Sequence, residues 1–458
     1  MNIVIVGAGE VGRAVASTLS EEGHDIWVIE QDEERAQEAE EELDVRVVRG
    51  NGARPQVLGE AGVKEGGDVD LLVACTDRDE ANVLSCWIAR RAGVGRVISR
   101  ARSLEFTDGP TWGKDLGIDM IVSPERSVAR EILELLSVSS ATRTAELLDG
   151  RAGIYGLRVA PGSPLVGMAL KDIRAAHEEL VAVVVYVERA GGEGVVPDGD
   201  TALAEGDLCY VVTYKRSIGA MEELFQLERT KPLKRVFVVG GGKLGFQVAR
   251  RLQSEHGHVK VRLIDHDAQQ CAKLAEELGS ALVLNADGAD RELLEEEGIA
   301  AADGYVCATE SDEVNLIYAA LARSMGARKS IAVVRHGRYR DMGRIMPVDA
   351  IVDPNQALAS VILRAIRYPG HATALSIIEE IDAEMIEVVL PQGHPVAGRP
   401  LADLGLPKGV LVALMGRGDD VLIPTGATRM KAGDKVILFA STPLMRETID
   451  LFGVEGAR

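Results

Sequence analysis

A strand that runs into a glycine-rich turn and then into a helix occurs twice in this chain, and this duplication constrains the fold more than any other feature. The first copy is Ile3-Val4-Ile5-Val6 followed by Gly7-Ala8-Gly9-Glu10-Val11-Gly12, and the second is Val236-Phe237-Val238-Val239 followed by Gly240-Gly241-Gly242-Lys243-Leu244-Gly245. Asn82 and Asn315 are separated by the same interval as Gly7 and Gly240, so the spacing recurs downstream. One glycine turn arises readily by chance, whereas two copies with matching downstream sequence indicate a tandem domain repeat.

Each glycine turn has the composition of a phosphate-binding loop. The first glycine permits a tight turn, the second lets the backbone approach a pyrophosphate, and the third lets the helix pack closely on the strand. The helix that follows presents unpaired N–H groups and the positive end of its dipole to an anion. We therefore predict that two loops bind nucleotide phosphates: Gly7, Ala8, Gly9, Glu10, Val11 and Gly12 in the first copy, and Gly240, Gly241, Gly242, Lys243, Leu244 and Gly245 in the second.

The order of strand and helix patterns predicts the fold class. Short apolar runs alternate with helical patterns in both copies, which is typical of a parallel sheet with helices on both faces. Each copy is followed by a segment of strand patterns and turns, and these segments also repeat, because Pro164-x-x-Gly167 returns as Pro395-x-x-Gly398. The predicted class is α/β, with two Rossmann-like doubly wound parallel-sheet domains (1–140 and 233–367), each followed by a small β-rich subdomain (141–228 and 372–458).

An acidic residue ends the second predicted strand of each copy. Glu30 and Asp265 are in the position where a carboxylate accepts hydrogen bonds from ribose hydroxyls and repels the extra phosphate of NADP. The two residues therefore favour NAD or an adenine nucleotide with free ribose hydroxyls. The alternative is a solvated carboxylate at a strand end.

Further candidates follow the third, fourth and fifth strands, at the edge of the sheet where ligands of such folds gather. The threonines and acids after the fourth strand are placed to contact ribose or pyrophosphate, or to cap the next helix. The arginines, matched as fifth-strand ends, are placed to reach a phosphate, a neighbouring subunit or a salt bridge. In strand order the candidates are Asn51 and Gly52, Thr76 and Asp77, and Arg100 in the first copy, and Asp287 and Gly288, Thr309 and Glu310, and Arg335 in the second.

The two glycine loops differ in charge. The residue after the second glycine is Glu10 in the first copy and Lys243 in the second. A carboxylate beside a polyphosphate is unfavourable, whereas a lysine screens a terminal phosphate. We therefore hypothesise that the first loop prefers the diphosphate bridge of NAD and that the second accepts ADP or ATP. The alternative is that both side chains point into solvent.

Composition excludes several other classes of protein. The net charge of −20 over 458 residues argues against a nucleic-acid partner, which requires a basic surface. No stretch approaches the ~20 apolar residues of a membrane-spanning helix. The five scattered cysteines contain no C-x-x-C pair, which suits buried thiols in a reducing cytoplasm better than disulfides or zinc. No metal site is expected.

These motifs resemble those of the TrkA family, the peripheral nucleotide-binding regulatory subunits of Trk-type potassium uptake systems, which contain two tandem RCK (KTN) domains. The resemblance covers essentially the whole chain. It depends on the first glycine loop, on Ser311-Asp312-Glu313-x-Asn315, on Pro164-x-x-Gly167 and on the strand entry Gly433-Asp434.

The resemblance implies a regulatory protein rather than an enzyme. Its cofactors would be NAD or NADH, with ADP or ATP in the second half. Its partners would be a TrkH-like integral-membrane potassium translocator and copies of itself, as a ring that is a tetramer of two-domain chains, at the cytoplasmic face of the membrane. The family's cofactor contacts carry over to the glycine loops and strand-end residues named above, although Asn51 against Asp287 is a departure between the halves. The alternative is an NAD-dependent dehydrogenase with duplicated cofactor domains, which requires an acid–base residue over the nicotinamide.

Overall fold

We describe a computed structural model of the chain. It covers residues 1–103, 106, 112–138, 140–148, 150–177, 179–192, 194–229, 231–367, 372–378, 383–407, 409–441, 444–445, 448 and 451–452.

The first Rossmann-like domain forms a six-stranded parallel sheet in the order β3-β2-β1-β4-β5-β6. Its central strand is buried on both faces, as expected for β-branched residues in a parallel sheet covered by helices. The elements are β1 (Asn2–Val6), α1 (Glu10–Glu21), β2 (Asp25–Glu30), α2 (Glu33–Glu42), β3 (Arg46–Arg49), α3 (Pro55–Glu60), β4 (Leu71–Ala74), α4 (Asp79–Arg91), β5 (Arg96–Arg100), α5 (Trp112–Asp115), β6 (Met120–Val122) and α6 (Pro124–Ser137).

The first β lobe is an antiparallel sheet in the order β10-β9-β11-β8-β7. Its edge strand β7 pairs with β8. The elements are β7 (Thr144–Leu147), β8 (Ala152–Arg158), α7 (Leu170–Ala176), β9 (Ala182–Glu188), β10 (Gly194–Val195), β11 (Leu208–Tyr214) and α8 (Ile218–Leu224).

The second half repeats both units. Its parallel sheet has the order β14-β13-β12-β15-β16-β17, and its antiparallel sheet has the order β18-β19-β22-β20-β21. The elements are β12 (Arg235–Val239), α9 (Lys243–Glu255), β13 (Lys260–Asp265), α10 (Ala268–Glu277), β14 (Leu282–Asn285), α11 (Arg291–Glu296), β15 (Gly304–Cys307), α12 (Asp312–Ser324), β16 (Ser330–Val333), β17 (Ala350–Val352), α13 (Pro354–Arg367), β18 (Ala372–Ile378), β19 (Ala383–Val389), β20 (Leu411–Arg417), β21 (Asp420–Leu422) and β22 (Lys435–Ser441).

The last helix of each Rossmann-like domain packs against the other Rossmann-like domain. On α6, Ile132, Leu133 and Leu136 share one hydrophobic core with Val248 and Leu252 of α9. The second sheet has space for this helix because β15 begins with a glycine, where a Cβ atom would lie 2.2 Å from Leu136 Cδ2. The predicted boundary at residue 140 assigns α6 to the first domain. In the structure this helix belongs to the hydrophobic core of the second domain.

The exchange is reciprocal, because α13 returns to the first domain. Leu358, Ile362 and Ile366 share a hydrophobic core with Val15 and Leu19 of α1. Each helix that follows a glycine loop is therefore backed by the exchanged helix of the other half.

A basic side chain binds the end of each exchanged helix from across the interface. Arg96, the first residue of β5, donates from Nη2 to the carbonyl oxygen of Ala365 in the last turn of α13, at 2.6 Å. Lys329, just before β16, donates to the carbonyl oxygens of Val138, at 3.2 Å, and of Ala141, which follow α6. Burial lowers the pKa of Lys329 to about 8. The last carbonyls of a helix have no partner within the helix, so side-chain donors at these positions supply hydrogen bonds to the helix ends from the other half of the chain.

The two β lobes also share a core. Leu147 and Tyr210 of the first lobe belong to the same buried cluster as Met385 and Phe439 of the second. Backbone groups join the lobes as well, because the Leu148 N–H donates to Glu387 Oε2 at 3.2 Å and Arg151 Nη1 donates to the Gly418 carbonyl oxygen at 2.6 Å. The two halves of the chain therefore contact each other through their Rossmann-like domains and through their β lobes.

We predict that Ile132→Ala destabilises the second Rossmann-like domain, although Ile132 lies far ahead of that domain in the sequence. The side chain is fully buried, so truncation should lower the free energy of unfolding by about 2–5 kcal/mol. Urea denaturation measures this loss, and hydrogen exchange should locate faster exchange in β12, α9 and β15. The control is Arg130→Ala on the exposed face of α6, expected to cost less than about 0.5 kcal/mol. Faster exchange confined to β1–β6 would contradict the exchange of helices.

Candidate nucleotide-binding site

The two glycine loops have the same backbone geometry. Gly7 has φ +106° and Gly240 has φ +98°, which is the left-handed region that a glycine adopts without strain. Helices α1 and α9 then begin at Glu10 and Lys243, and no side chain caps either helix at the preceding glycine. Each helix N-terminus therefore presents first-turn N–H groups to the edge of the sheet.

The three glycines of a loop have different surroundings. A Cβ atom on Gly12 would lie 1.9 Å from the carbonyl oxygen of Gly7, and the equivalent distance from Gly245 to Gly240 is 1.8 Å. A Cβ on Gly9 would meet nothing within 4 Å. The third glycine is thus required for packing, whereas the second faces open space, as a loop that admits a ligand requires.

Glu30 and Asp265 hold the loops in place. The Ala8 N–H donates to Glu30 Oε2 at 2.7 Å, and the Gly241 N–H donates to Asp265 Oδ2 at 2.6 Å. Glu30 is 7% exposed, and its Oε1 accepts from the N–H groups of Gln31 and Asp32. The alternative of a solvated carboxylate is therefore wrong for Glu30. A carboxylate has about four lone-pair sites, so acceptor capacity remains for a ribose hydroxyl.

Thr76 and Thr309 lie in identical networks at the ends of β4 and β15. The N–H and the hydroxyl of Thr76 both donate to Asn82 Oδ1, at 2.9 and 2.7 Å. The N–H and the hydroxyl of Thr309 donate to Asn315 Oδ1 at the same two distances. Both asparagines are fully buried. They organise the site, and the signal in the sequence that points to them is that they repeat at the interval of the glycine loops.

Asp77 and Glu310 follow these threonines and are exposed at the rim. The hydroxyl that caps α12 belongs to Ser311, which accepts from the Val314 N–H at 3.2 Å. On α4 the residue before the helix is Arg78, whose side chain makes no capping hydrogen bond. The acidic residues Asp77 and Glu310 are therefore placed at the rim and do not cap the helices.

The turns after the third strands match. Asn51 Oδ1 accepts from the Ala53 N–H and Asp287 Oδ1 accepts from the Ala289 N–H, both at 2.8 Å. Asp287 also accepts from the hydroxyl of Tyr318 at 2.6 Å, and this hydrogen bond lowers the pKa of Asp287.

Gly52 and Gly288 follow at positions where a Cβ would lie 2.2 Å from Val6 and 2.4 Å from Val239. Each glycine therefore lets its turn press against the central strand next to the loop.

The pairing of Arg100 with Arg335 is wrong. In the sheets, Ala74 pairs with Ser99 and Cys307 pairs with Ala332, so Arg100 corresponds to Val333. Arg335 instead corresponds to Arg102, which precedes it by the interval that separates the glycine loops. The sequence comparison matched two arginines by residue type and overlooked this interval.

Hydrogen bonds confirm the corrected register. Asp79 accepts from the N–H groups of Arg102 and Ser103, at 3.0 and 2.7 Å. Asp312 accepts from those of Arg335 and His336, at 3.0 and 2.9 Å. Arg102 is a neighbour of the site that the sequence analysis missed.

The arginines at the rim differ in their partners. Arg102 Nε donates to Glu125 Oε1 at 2.8 Å. Arg335 Nη1 donates to the Thr309 carbonyl oxygen at 2.8 Å and lies 3.8 Å from Asp312, while burial lowers the pKa of Arg335. Among the residues that the structure describes, Arg100 makes one long contact, of 3.5 Å from Nη1 to the Cys75 carbonyl oxygen. The salt-bridge alternative therefore holds for Arg335, whereas Arg100 forms no ion pair within the described part of the chain.

Glu10 and Lys243 are exposed, at the first residue of their helices. Within the described ranges, no three His, Cys, Asp or Glu side chains are grouped so that they could hold a metal ion. Over the same part of the chain, no helix combines the length and the apolar character needed to cross a membrane.

Two Rossmann-like domains with paired glycine loops, each followed by an antiparallel β lobe, define a chain of two tandem RCK-type modules. The family model described as the TrkA-N domain matches residues 3–124 and 236–354, and that described as the TrkA-C domain matches residues 154–226 and 385–453. The chain belongs to the TrkA family.

Relatives agree with this assignment, and solved structures share the fold. The chain is 34% identical over 460 residues to Trk system potassium uptake protein TrkA homolog 2 of Methanosarcina mazei, covering 99% of this chain and 100% of the relative. It is 33% identical to the TrkA of Halomonas elongata, covering 96% and 95%. The RCK domain of GsuK superposes with a TM-score of 0.58 at 20% identity, covering 99% of this chain and 95% of that one. The GsuK channel bound to NAD gives 0.59 at 20% identity, covering 99% and 79%.

We predict that Gly9→Ala and Gly12→Ala separate the two functions of the first loop. Gly9 has φ −70° and open space, so its alanine variant should keep the parent's stability within about 1 kcal/mol but lose nucleotide affinity, because the methyl group lies where the phosphate approaches. Gly12→Ala should cost about 1–3 kcal/mol even without nucleotide, because of the clash with Gly7. Thermal unfolding and NADH titration measure both. Equal stability losses in the two variants would contradict this division.

Proposed function

We propose that this chain is the nucleotide-sensing regulatory subunit of a Trk-type potassium uptake system, which gates a TrkH-like membrane translocator by conformational change. The observation that carries the proposal is the presence of two complete phosphate-binding loops whose helices are each backed by an exchanged helix from the other half. The potassium uptake function in the names of the relatives supports the choice of transport system.

In this proposal the first cleft binds NAD or NADH and the second binds ADP or ATP. Glu30 and Asp265 bind the adenosine ribose of each nucleotide, and the glycine loops bind the phosphates. Glu10 disfavours a terminal phosphate at the first loop, and Lys243 favours one at the second. Both side chains are exposed beside their loops, so their charge acts through solvent and is modest in size.

The exchanged helices offer a route from nucleotide to transporter. A ligand shifts a conformational equilibrium only if it binds one state better than the other. The phosphates contact the N-terminus of α1 or α9, and these helices pack on α13 and α6. A change in either loop helix is therefore passed to the helix that connects the opposite Rossmann-like domain to its β lobe.

The proposed assembly is a ring, a tetramer of two-domain chains bound to the translocator at the cytoplasmic face of the membrane. Leu84 and Trp87 on α4 are 43% and 39% exposed, and Ile317 on α12 is 57% exposed. Ile317 is the counterpart of Leu84 in the repeat, so the two halves present the same apolar position to solvent. Large exposed apolar residues at repeated positions support contacts with further copies of the chain.

The dehydrogenase alternative requires an acid–base residue above the nicotinamide. His and Lys do not recur at equivalent positions of the two clefts. A slow decrease in NADH absorbance with a carbonyl substrate, without any membrane partner, would favour the enzyme.

We predict that purified protein binds NADH and ADP at separate sites, and that exchanging the loop charges redistributes them. Glu10→Lys should raise ADP or ATP affinity at the first site, and Lys243→Glu should lower it at the second, each by a few-fold at low salt because both charges are exposed. Isothermal titration at two salt concentrations measures the effect, with Lys260→Glu, a lysine outside the loops, as the control. Unchanged preference in both variants would end the assignment of nucleotides to clefts, and absence of all nucleotide binding would end the proposed function.

We predict that Leu84→Glu and Ile317→Glu reduce the mass of the assembly measured by light scattering. A charge placed in an apolar contact between copies is unfavourable, whereas on a free surface it has little effect on the fold. Glu80→Gln on the exposed surface of α4 is the matched control and should leave the mass unchanged. A variant that keeps the wild-type mass would place the subunit contacts elsewhere.

A further inference from the structure

A buried arginine at the end of α13 joins the first loop helix to the second β lobe. We propose that Arg367 transmits the state of the first cleft to the second β lobe, and that the second cleft has no equivalent link to the first lobe. The inference rests on the proposed function and gives a direction to the signal between clefts and lobes.

Arg367 is the last residue of α13 and contacts a carboxylate on each side. Its Nη2 atom is paired with Glu22 and its Nη1 atom with Glu384. Glu22 directly follows the last residue of α1, and Glu384 is the second residue of β19. A guanidinium has several donors in a fixed planar arrangement, so one side chain holds both carboxylates at once.

The three charged groups are largely removed from solvent. The side chains of Glu22, Arg367 and Glu384 are 8%, 10% and 1% exposed. Separating the partners of a buried ion pair leaves an uncompensated charge in the interior, which is strongly unfavourable, whereas exposed pairs separate at little cost. The end of α1, the end of α13 and the start of β19 are therefore expected to move together.

The same helix connects Glu22 to the first glycine loop. The Glu22 carboxylate lies at the negative end of the α1 dipole, where Arg367 supplies the compensating positive charge. The N-terminus of α1, next to the loop, is about 18 Å away, because the helix has 12 residues. A displacement of α1 by a bound phosphate therefore reaches Arg367 through one rigid element.

The strand that carries Glu384 contacts both β lobes. Met385, the next residue, belongs to the core shared with the first lobe, and Ile386 belongs to the core of the second lobe. Glu387 accepts from the Leu148 N–H across the interface between the lobes. Since β19 also lies between β18 and β22 in its sheet, a shift of this strand affects the packing of the whole second lobe.

The repeat does not preserve this connection in the other half. Ser137 occupies the place of Arg367 at the end of α6, and Gly153 occupies the place of Glu384 as the second residue of β8. Neither side chain is charged. Helix α9 contacts α6 through an apolar core, and no ion pair at these two positions joins it to the first lobe.

Hydrogen exchange of the full chain, with and without saturating NADH, tests this inference. Coupling between sites is typically about fivefold or more, so NADH should slow exchange in β19 by about fivefold in the wild type. The variant Glu22→Gln/Arg367→Met/Glu384→Gln removes the three charges together, so that none of them is left as a buried unpaired ion. It should still bind NADH and show slower exchange in α1, but the slowing in β19 should fall below about twofold.

Two further variants and a second ligand sharpen the test. Arg367→Lys keeps the charge on one nitrogen, which holds two carboxylates less well than the planar fork, so its β19 response should be intermediate. Arg328→Met is the matched control, because it removes an arginine paired with Asp303 at 2.7 Å inside the second Rossmann-like domain, and it should keep the wild-type β19 response. ADP should slow exchange in α9 without a comparable effect in β8.

The outcomes separate the inference from the function beneath it. A β19 response that persists in the triple variant overturns the inference, as does a wild type that binds NADH without slower exchange in β19, and both leave nucleotide binding intact. Loss of the response in Arg328→Met also overturns it, because the effect would then follow general destabilisation. A β8 response to ADP as large as the β19 response to NADH overturns the stated direction. Wild-type protein that binds neither nucleotide overturns the proposed function itself.

Discussion

The reciprocal packing of α6 and α13 is the interaction on which the rest of this structure depends. Each helix leaves one parallel sheet and completes the hydrophobic core of the other, so that neither Rossmann-like domain has a full core of its own. Arg96 and Lys329 occupy equivalent positions of the two halves, and each donates a hydrogen bond to a carbonyl oxygen at the end of an exchanged helix. Because these contacts bury apolar surface and satisfy helix-end carbonyls together, the halves are expected to fold and move as one unit.

This arrangement connects the two clefts through helices that pack against each other. Helices α1 and α9, which follow the glycine loops, pack against the exchanged helices. The exchanged helices lead into the β lobes, which share a core of their own. A regulatory protein needs two states that a ligand distinguishes, and packed interfaces change between discrete arrangements rather than deforming gradually. Duplication within one chain further allows the two clefts to diverge, as Glu10 and Lys243 and then Arg100 and Val333 have done.

Most of the fold and the loop itself were predictable because they depend on local sequence. A β-branched run followed by three spaced glycines permits few backbones, and Gly7 and Gly12 adopt the turn and the close approach that this pattern predicts. Asn82 and Asn315 were harder, because a buried amide that ties a strand end to a helix looks like an ordinary first-turn residue in sequence. Arg335 was wrongly matched to Arg100 because the two residues are of the same type, whereas the strand register matches Arg335 to Arg102.

The sequence by itself determined the number of Rossmann-like domains, their order and the composition of each glycine loop, since these follow from short-range patterns and a recurring spacing. Only the tertiary structure decided which core α6 and α13 complete, because an amphipathic helix fits any apolar surface of suitable shape and its sequence does not name the partner. The tertiary structure also decided that Arg100 corresponds to Val333 in the repeat, and that its Nε atom has no hydrogen-bond partner among the described residues. Those facts depend on strand pairing and burial, which arise from contacts between residues far apart in the chain.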